Sequence, residues 1–352
     1  MNVERAVPTG SSLSSLGMEP EFASLARRAV RFVRARIGLV SNNQNLISNP
    51  EFFESRTVIQ SLVTNVHAVP EIPFVEPLDA RMFILDLPGA APSVQVGEDE
   101  VLAVADFTAL EAACSDRRCS LFGNLGLFFR FALAVLERRY GIFSFHASAL
   151  YLPEQNELML VVGGAGAGKT VFLLEGLRRG YQVFSTEMTH LEFRGDDAVF
   201  HKGSLVDNIR QGSFVYDFPD AAEQLGLDLP EIENVWAHKL AVDLAQVAPD
   251  ADDLVNPRIS LLFPKIESGR ETAVVSDVKP GPKLVKLLFD NASEKIGGTG
   301  LLYDRIPLPG TDAPDIAAKR LKGMNRLVHE HTDRIVRAKD ILAGTHNCME
   351  GL

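Results

Sequence analysis

The sequence predicts an α/β protein built around a phosphate-binding loop, and three neighbouring observations carry that expectation. Residues 158–162 form an apolar run with the character of a strand. The octapeptide Gly163-Gly164-Ala165-Gly166-Ala167-Gly168-Lys169-Thr170 follows at once and fits G-x-x-x-x-G-K-[ST] without a mismatch. Residues 171–179 then read as a helix, with Gly180 where a C-terminal cap belongs. Glycines let backbone N–H groups curl around a phosphate without Cβ clashes, and a helix N-terminus adds partial positive charge at the same point. The loop amides from Gly163 to Val171 are therefore expected to cradle the phosphates of a nucleoside triphosphate, ATP. Lys169 is expected to reach the β- and γ-phosphates, and the Thr170 hydroxyl to bind Mg2+. The bland alternative is a glycine-rich turn with a chance lysine. Strand, loop and helix in the required order weigh against it. The dinucleotide motif G-x-G-x-x-G fails because Lys169 takes its last glycine position.

Composition sets the frame. A chain of 352 residues, 46% hydrophobic and 23% charged, can bury a sizeable core as one large domain or two ordinary ones. The net charge of −11 speaks against a broad nucleic-acid-binding surface. Cys114, Cys119 and Cys348 make no disulfide framework, and the C-x₄-C pair has no companion ligands nearby. No run of 18 apolar residues and no signal-peptide core occur, so a cytoplasmic protein without a membrane span is expected.

In chain order, residues 1–18 are rich in Ser, Gly and Pro and read as a mobile tail. Phe22, Leu25, Ala26, Ala29, Val30 and Val33 have helical spacing with arginines mostly opposite. That pattern suits a docked helix with a solvated basic face, or a helix lying on an anionic membrane. Residues 39–105 look strand-rich and irregular; residues 82–89 read as a strand followed by Asp86-Leu87-Pro88-Gly89. The D-x-x-G tetrapeptide stands before the phosphate loop and no N-K-x-D follows, so it reads as a turn rather than a GTPase switch. A broad apolar arc predicts a buried helix at 121–136. Residues 140–152 alternate as a strand, with turn residues at 153–156, which predicts a hairpin into the phosphate-loop strand. Further strands are expected at 181–185, 190–193, 198–201, 240–244 and 259–263, and two helices between residues 312 and 342. The division is a tail (1–18), a smaller N-terminal α+β lobe (19–120) and a phosphate-loop domain with C-terminal helices (121–352).

Four features together resemble the HPr kinase/phosphorylase family and its phosphate-loop relatives, among them phosphoenolpyruvate carboxykinase. They are His146-Ala147-Ser148-Ala149 in the strand before the loop, the loop itself, Arg179-Gly180-Tyr181 after its helix, and the acidic strand end Ser185-Thr186-Glu187. The resemblance covers about residues 140–195; Phe263-Pro264-Lys265 matches a late strand more loosely. It implies a mixed-sheet core of that type. It also implies two aspartates where this chain has Thr186 and Glu187, one as base toward the acceptor hydroxyl and one at the metal. Threonine is no base at neutral pH. Glu187 is therefore the expected Mg2+ ligand and base, with His146, facing the site in the relatives, hydrogen-bonding Glu187 or taking the acceptor proton. Lys169 completes the catalytic set.

The expected activity is ATP-dependent transfer of the γ-phosphoryl group to a hydroxyl-bearing substrate: a small molecule, or a peptide or protein serine. The alternative is a nucleotide-binding regulatory protein with little turnover, favoured by Thr186 in place of an aspartate. Self-association to a homo-oligomer is left open. Lesser candidates are Asp243 as a metal-binding acid and Lys239, Arg258 and Lys265 as phosphate contacts. His329 and His331 do not share a helix face, which speaks against a metal site there.

Overall fold

The computed structural model describes residues 25–53, 58–59, 62–63, 66–67, 69–75, 77–298, 300–308, 310–350 and 352. The tail expected at 1–18 and the first residues of the expected N-terminal helix, 19–24, lie outside them.

The N-terminal lobe is a six-stranded sheet. Its strands are β1 (Ala26–Phe32), β2 (Ala35–Ser41), β3 (Glu71–Ile72), β4 (Ala80–Asp86), β5 (Ser93–Val96) and β6 (Glu100–Ala105), in the order β3-β1-β2-β4-β6-β5. The expected N-terminal helix is corrected by this sheet. β1 folds back on β2 as an antiparallel hairpin, with Arg28 opposite Leu39 and Phe32 opposite Ala35. Val30 and Phe32, both buried, fit a strand's alternation as well as Ala26, Ala29 and Val30 fit a helix, and the long-range pairing decides. The membrane-surface helix goes with it: Arg28 meets Glu71 at 3.1 Å and lies over the Phe53 ring. The strand expected ahead of Asp86-Leu87-Pro88-Gly89 is β4. Asp86 at its end accepts from the Thr108 hydroxyl at 2.6 Å and from Asn43 Nδ2 at 2.7 Å, while Gly89 N in the turn that follows donates to Asp106 Oδ2 at 2.8 Å.

The helix expected at 121–136 is shorter at its start. α1 (Leu127–Val135) continues in one wide turn, Leu136–Tyr140, and stops at Gly141. Residues 121–126 instead form bends and turns in which the backbone passes close to two glycines. A Cβ on Gly126 would lie 1.8 Å from Ser120 O, and one on Gly123 2.3 Å from Arg118 O. Phe128 and Phe129 of α1 pack with Phe32, Leu39 and Met82 in the core of the first sheet.

The second sheet is mixed and has nine strands. In chain order the elements are β7 (Phe143–Leu152), β8 (Glu157–Val162), α2 (Lys169–Arg178), β9 (Gln182–Ser185), β10 (Met188–Arg194) and β11 (Asp197–His201). A separate ribbon of β12 (Val206–Arg210) and β13 (Lys239–Asp243) follows. Then come β14 (Asp253–Val255), β15 (Arg258–Ile266), β16 (Val274–Asp277), α3 (Pro282–Gly297), α4 (Pro314–His329) and β17 (Ile335–Ala343). The order is β14-β11-β10-β7-β8-β15-β17-β16, with β9 pairing to β7 as well. The expected hairpin is present: β7 and β8 are antiparallel around a turn in which Asn156 takes φ 45°. On its other side β8 runs parallel to β15.

β8 reads as an unbroken apolar run because both its faces are covered. Leu158, Leu160 and Val162 pack with Leu284 and Leu288 of α3 and Leu327 of α4. Met159 and Val161 pack with Phe172, Leu174 and Leu177 of α2. The two helices expected between 312 and 342 are one: α4 ends at His329, and β17 is an inner strand between β15 and β16. Its cations, which suggest a solvated helix face, are spent across the sheet, Arg337 on Glu157 at 3.3 Å and Lys339 on Asp277 at 2.6 Å. α3 has no counterpart among the expected elements. No helix of the described residues is long and apolar enough to cross a membrane.

Candidate functional site

The loop between β8 and α2 depends on its glycines for geometry. Gly166 and Gly168 take φ 81° and 103°, and a Cβ on Gly168 would sit 2.1 Å from Ile266 Cγ1. The amides of Gly164, Ala165, Gly166 and Gly168 bond to no backbone carbonyl among the described residues, and they stand at the N-terminus of α2. Three expected members of the cradle differ. The N–H groups of Gly163, Ala167 and Val171 are spent on His146 O, Gly164 O and Gly168 O.

Lys169 and Thr170 open α2 and turn in different directions. The Lys169 ammonium donates to Gly163 O at 2.8 Å and Gly164 O at 3.0 Å, and lies 3.1 Å from His146 Nε2. Burial is the main reason its pKa is lowered. The Thr170 hydroxyl donates to Asp207 Oδ2 at 3.2 Å. Asp207 stands near the start of β12, and its other oxygen accepts from Asn208 N at 2.7 Å. Burial, then the charge of Glu187, raises the Asp207 pKa. Thr170 thus meets Asp207, not the Glu187 expected from the sequence.

His146 is buried on β7 and faces the same cleft. Its Nδ1 lies 3.0 Å from Glu294 Oε1 without the alignment of a hydrogen bond, and its Nε2 faces the Lys169 ammonium. Burial lowers its pKa, Glu294 opposes, and Lys295 and Lys169 add to the lowering. The expected hydrogen bond between His146 and Glu187 is not formed. Glu187 instead meets Lys295 at 3.2 Å and Asn124 Nδ2 at 3.3 Å. Burial works against its charge, but Lys295, His67 and His146 outweigh it and bring the Glu187 pKa down to about 2. Thr186 is buried, and its hydroxyl donates to Ser204 O at 3.0 Å and Val206 O at 2.9 Å. Those are two acceptors an aspartate would repel, which explains threonine there. They also tie the end of β9 to the chain entering β12 and Asp207.

Asn124, His146, Lys169, Thr170, Glu187 and Asp207 line one cleft of about 640 Å³. A second cleft, of about 600 Å³, contains His67, His190 and His201 and none of the loop residues. Comparison with protein-family models finds no match to the chain, and comparison with curated proteins finds none. The chemistry is therefore argued from the site itself.

Of the three lesser cations only Lys239 lines the cleft; Arg258 is exposed, and Lys265 is exposed and paired with Glu267. Asp243 is exposed and accepts from Ala245 N at 3.0 Å, a turn-forming role. His329 ends α4, while His331 stacks on Phe193. Sequence reasoning missed Asp207, Asn124, Glu294 and Lys295. For the last two a signal existed: Leu284, Val285, Leu288, Ala292 and Ile296 are spaced as one helix face after Pro282, and α3 carries both residues to the loop. Asp207 and Asn124 sit in no pattern, and tertiary contact alone puts them there.

Proposed function

We propose that the chain is a magnesium-dependent phosphotransferase that binds ATP at the glycine loop and passes the γ-phosphoryl group to a hydroxyl-bearing acceptor. The observation that carries the reading is the Thr170–Asp207 contact beside the Lys169 ammonium, at a helix N-terminus with unspent amides. On this reading the core is of the HPr kinase type that residues 140–195 resemble, and the protein works in the cytoplasm, where Mg·ATP is plentiful.

Thr170 and Asp207 are the residues that would hold Mg2+. Hard oxygen donors on adjacent elements suit a cation that takes one or two carboxylates and keeps its waters. A magnesium ion held by these two residues would supply positive charge against the β- and γ-phosphates. The loop amides and Lys169 hold the triphosphate. A phosphate is a stronger acceptor for Lys169 than the carbonyls it now meets, so nucleotide binding draws the ammonium away from His146 Nε2. His146, its Nδ1 beside Glu294 Oε1, then has its Nε2 lone pair facing the cleft. The acceptor oxygen bonds to Pγ as the bond from Pγ to the β–γ bridging oxygen breaks, ADP leaves, and the hydroxyl proton passes to His146 Nε2. Glu187, ionised down to about pH 2, serves as countercharge to Lys295 rather than as base.

A second reading, a nucleotide-binding regulator with little turnover, is favoured by one observation: neither Thr186 nor Glu187 is a free base. ATP consumption with and without hydroxyl acceptors separates the two. Turnover that needs an acceptor and is lost in His146→Asn supports the transferase. Tight Mg·ATP binding without turnover on any acceptor supports the regulator.

A further inference from the structure

One wall of the cleft is the β12–β13 ribbon, where Arg210 is the cross-strand partner of Lys239. Such partners project to one face, and like charges directly opposite destabilise a ribbon. Arg118 adds a third cation to the same wall. Their compensation is incomplete. Arg118 is paired with Asp116 at 2.6 Å, and Arg210 donates to the Trp236 carbonyl. Lys239 is half-buried and has no hydrogen bond or ion pair among the described residues. Burial, then Arg118 and Arg210, lower its pKa, while Asp207 and Asp116 oppose more weakly. The other acids of the cleft are engaged: Glu187 by Lys295, Asp207 by Thr170, and Asp217 lies 3.8 Å from His346.

We propose that Arg118, Arg210 and Lys239 form an anion subsite for the acceptor, which is a small hydroxyl compound already carrying a phosphate. The Lys239 ammonium, with the guanidinium nitrogens that Arg118 and Arg210 do not spend on Asp116 and Trp236 O, suits a phosphate dianion. At the rise of a strand, Arg210 lies ~10 Å along β12 from Asp207. That spacing is within the span of a sugar phosphate whose hydroxyl approaches Pγ. The anion subsite stands on its own geometry; calling its occupant the acceptor rests on the phosphotransferase reading.

The test titrates inorganic phosphate into the full chain saturated with Mg·AMP-PNP, which fills the γ-position. Trp236, the chain's one tryptophan, lines the cleft and reports by fluorescence. Saturable binding is expected, weakened about tenfold or more in Lys239→Gln and Arg210→Gln and retained within about threefold in Lys239→Arg, with Mg·AMP-PNP affinity changed less than about threefold throughout. Phosphorylated hydroxyl compounds should support turnover where their unphosphorylated parents do not. No phosphate binding beside the filled loop, equal loss of phosphate and AMP-PNP affinity in Lys239→Gln, or equal turnover of the neutral parents overturns the proposal. The phosphotransferase reading fails separately. In that case Mg·AMP-PNP does not bind, yet phosphate still binds a Lys169→Ala chain in a Lys239-dependent way.

Discussion

Two of the carboxylates in the cleft, Glu187 and Asp207, are driven apart by their surroundings. Lys295, His67 and His146 hold Glu187 at a pKa of about 2, whereas burial and the charge of Glu187 raise Asp207. Such divergence separates roles in a shared site. Asp207→Asn should weaken Mg2+-dependent ATP binding by about 10- to 100-fold, the scale of losing one group that holds a metal. Glu187→Gln should leave that affinity within a few-fold, since Thr170 does not use it. It should instead lower the unfolding free energy by about 1–3 kcal/mol in a urea titration, because Lys295 keeps its charge and loses its partner. If the two substitutions exchange these effects, Glu187 is the metal residue after all. At this scale the sequence showed Lys169, Thr170 and His146, because each belongs to a local pattern. Asp207 was hidden because nothing in Val206-Asp207-Asn208 marks it; the Thr186 bonds to Ser204 O and Val206 O bring it to the loop.

Among the elements, the loop and its flanking strand and helix were legible because contacts within a few residues make them. Gly166 and Gly168 allow a graded test of that geometry. Nothing lies within 4 Å of a Cβ on Gly166, so Gly166→Ala should cost only the left-handed backbone, about 1 kcal/mol. Gly168→Ala adds a collision with Ile266 and should cost clearly more, with partial recovery in Gly168→Ala/Ile266→Ala. Equal losses in denaturant titrations of the two single variants would mean that Ile266 does not pack there. The misread elements were those whose pattern fits two structures. β1 carries apolar residues at both helical and alternate spacings, and β17 buries Ala338, Ile341 and Ala343, an uneven period. Pairing across the chain settles both, to β2 in one case and to β15 and β16 in the other.

Across the whole molecule, the two lobes meet through neutral histidines. His67 stacks on Phe129 at 4.3 Å, and His190 on β10 sits edge-on to Phe32 of β1 at 5.9 Å. Burial is the largest cause bringing their pKa values to about 4 and about 3, from 6.5. Both groups take up protons more readily in the unfolded chain, so their contribution is complete above about pH 6.5 and is lost as pH falls toward 4 and 3. Each adds a slope of about 1.4 kcal/mol per pH unit in that window; Glu187, also lowered, adds its loss only below about 4.5. Burial raises Glu137 to about 7 and works the other way in this window, so from pH 7 to pH 5 Tm should fall further, or rise less, in the unaltered chain than in His190→Asn; an unchanged slope in that variant would mean that His190 is already charged in the fold. The central claim concerns the cleft beside this junction, and calorimetric titration of Mg·AMP-PNP tests it most directly. The account predicts saturable binding that needs Mg2+, is lost in Lys169→Ala and is weakened in Asp207→Asn. No binding, or binding indifferent to Mg2+ and to both substitutions, would contradict it.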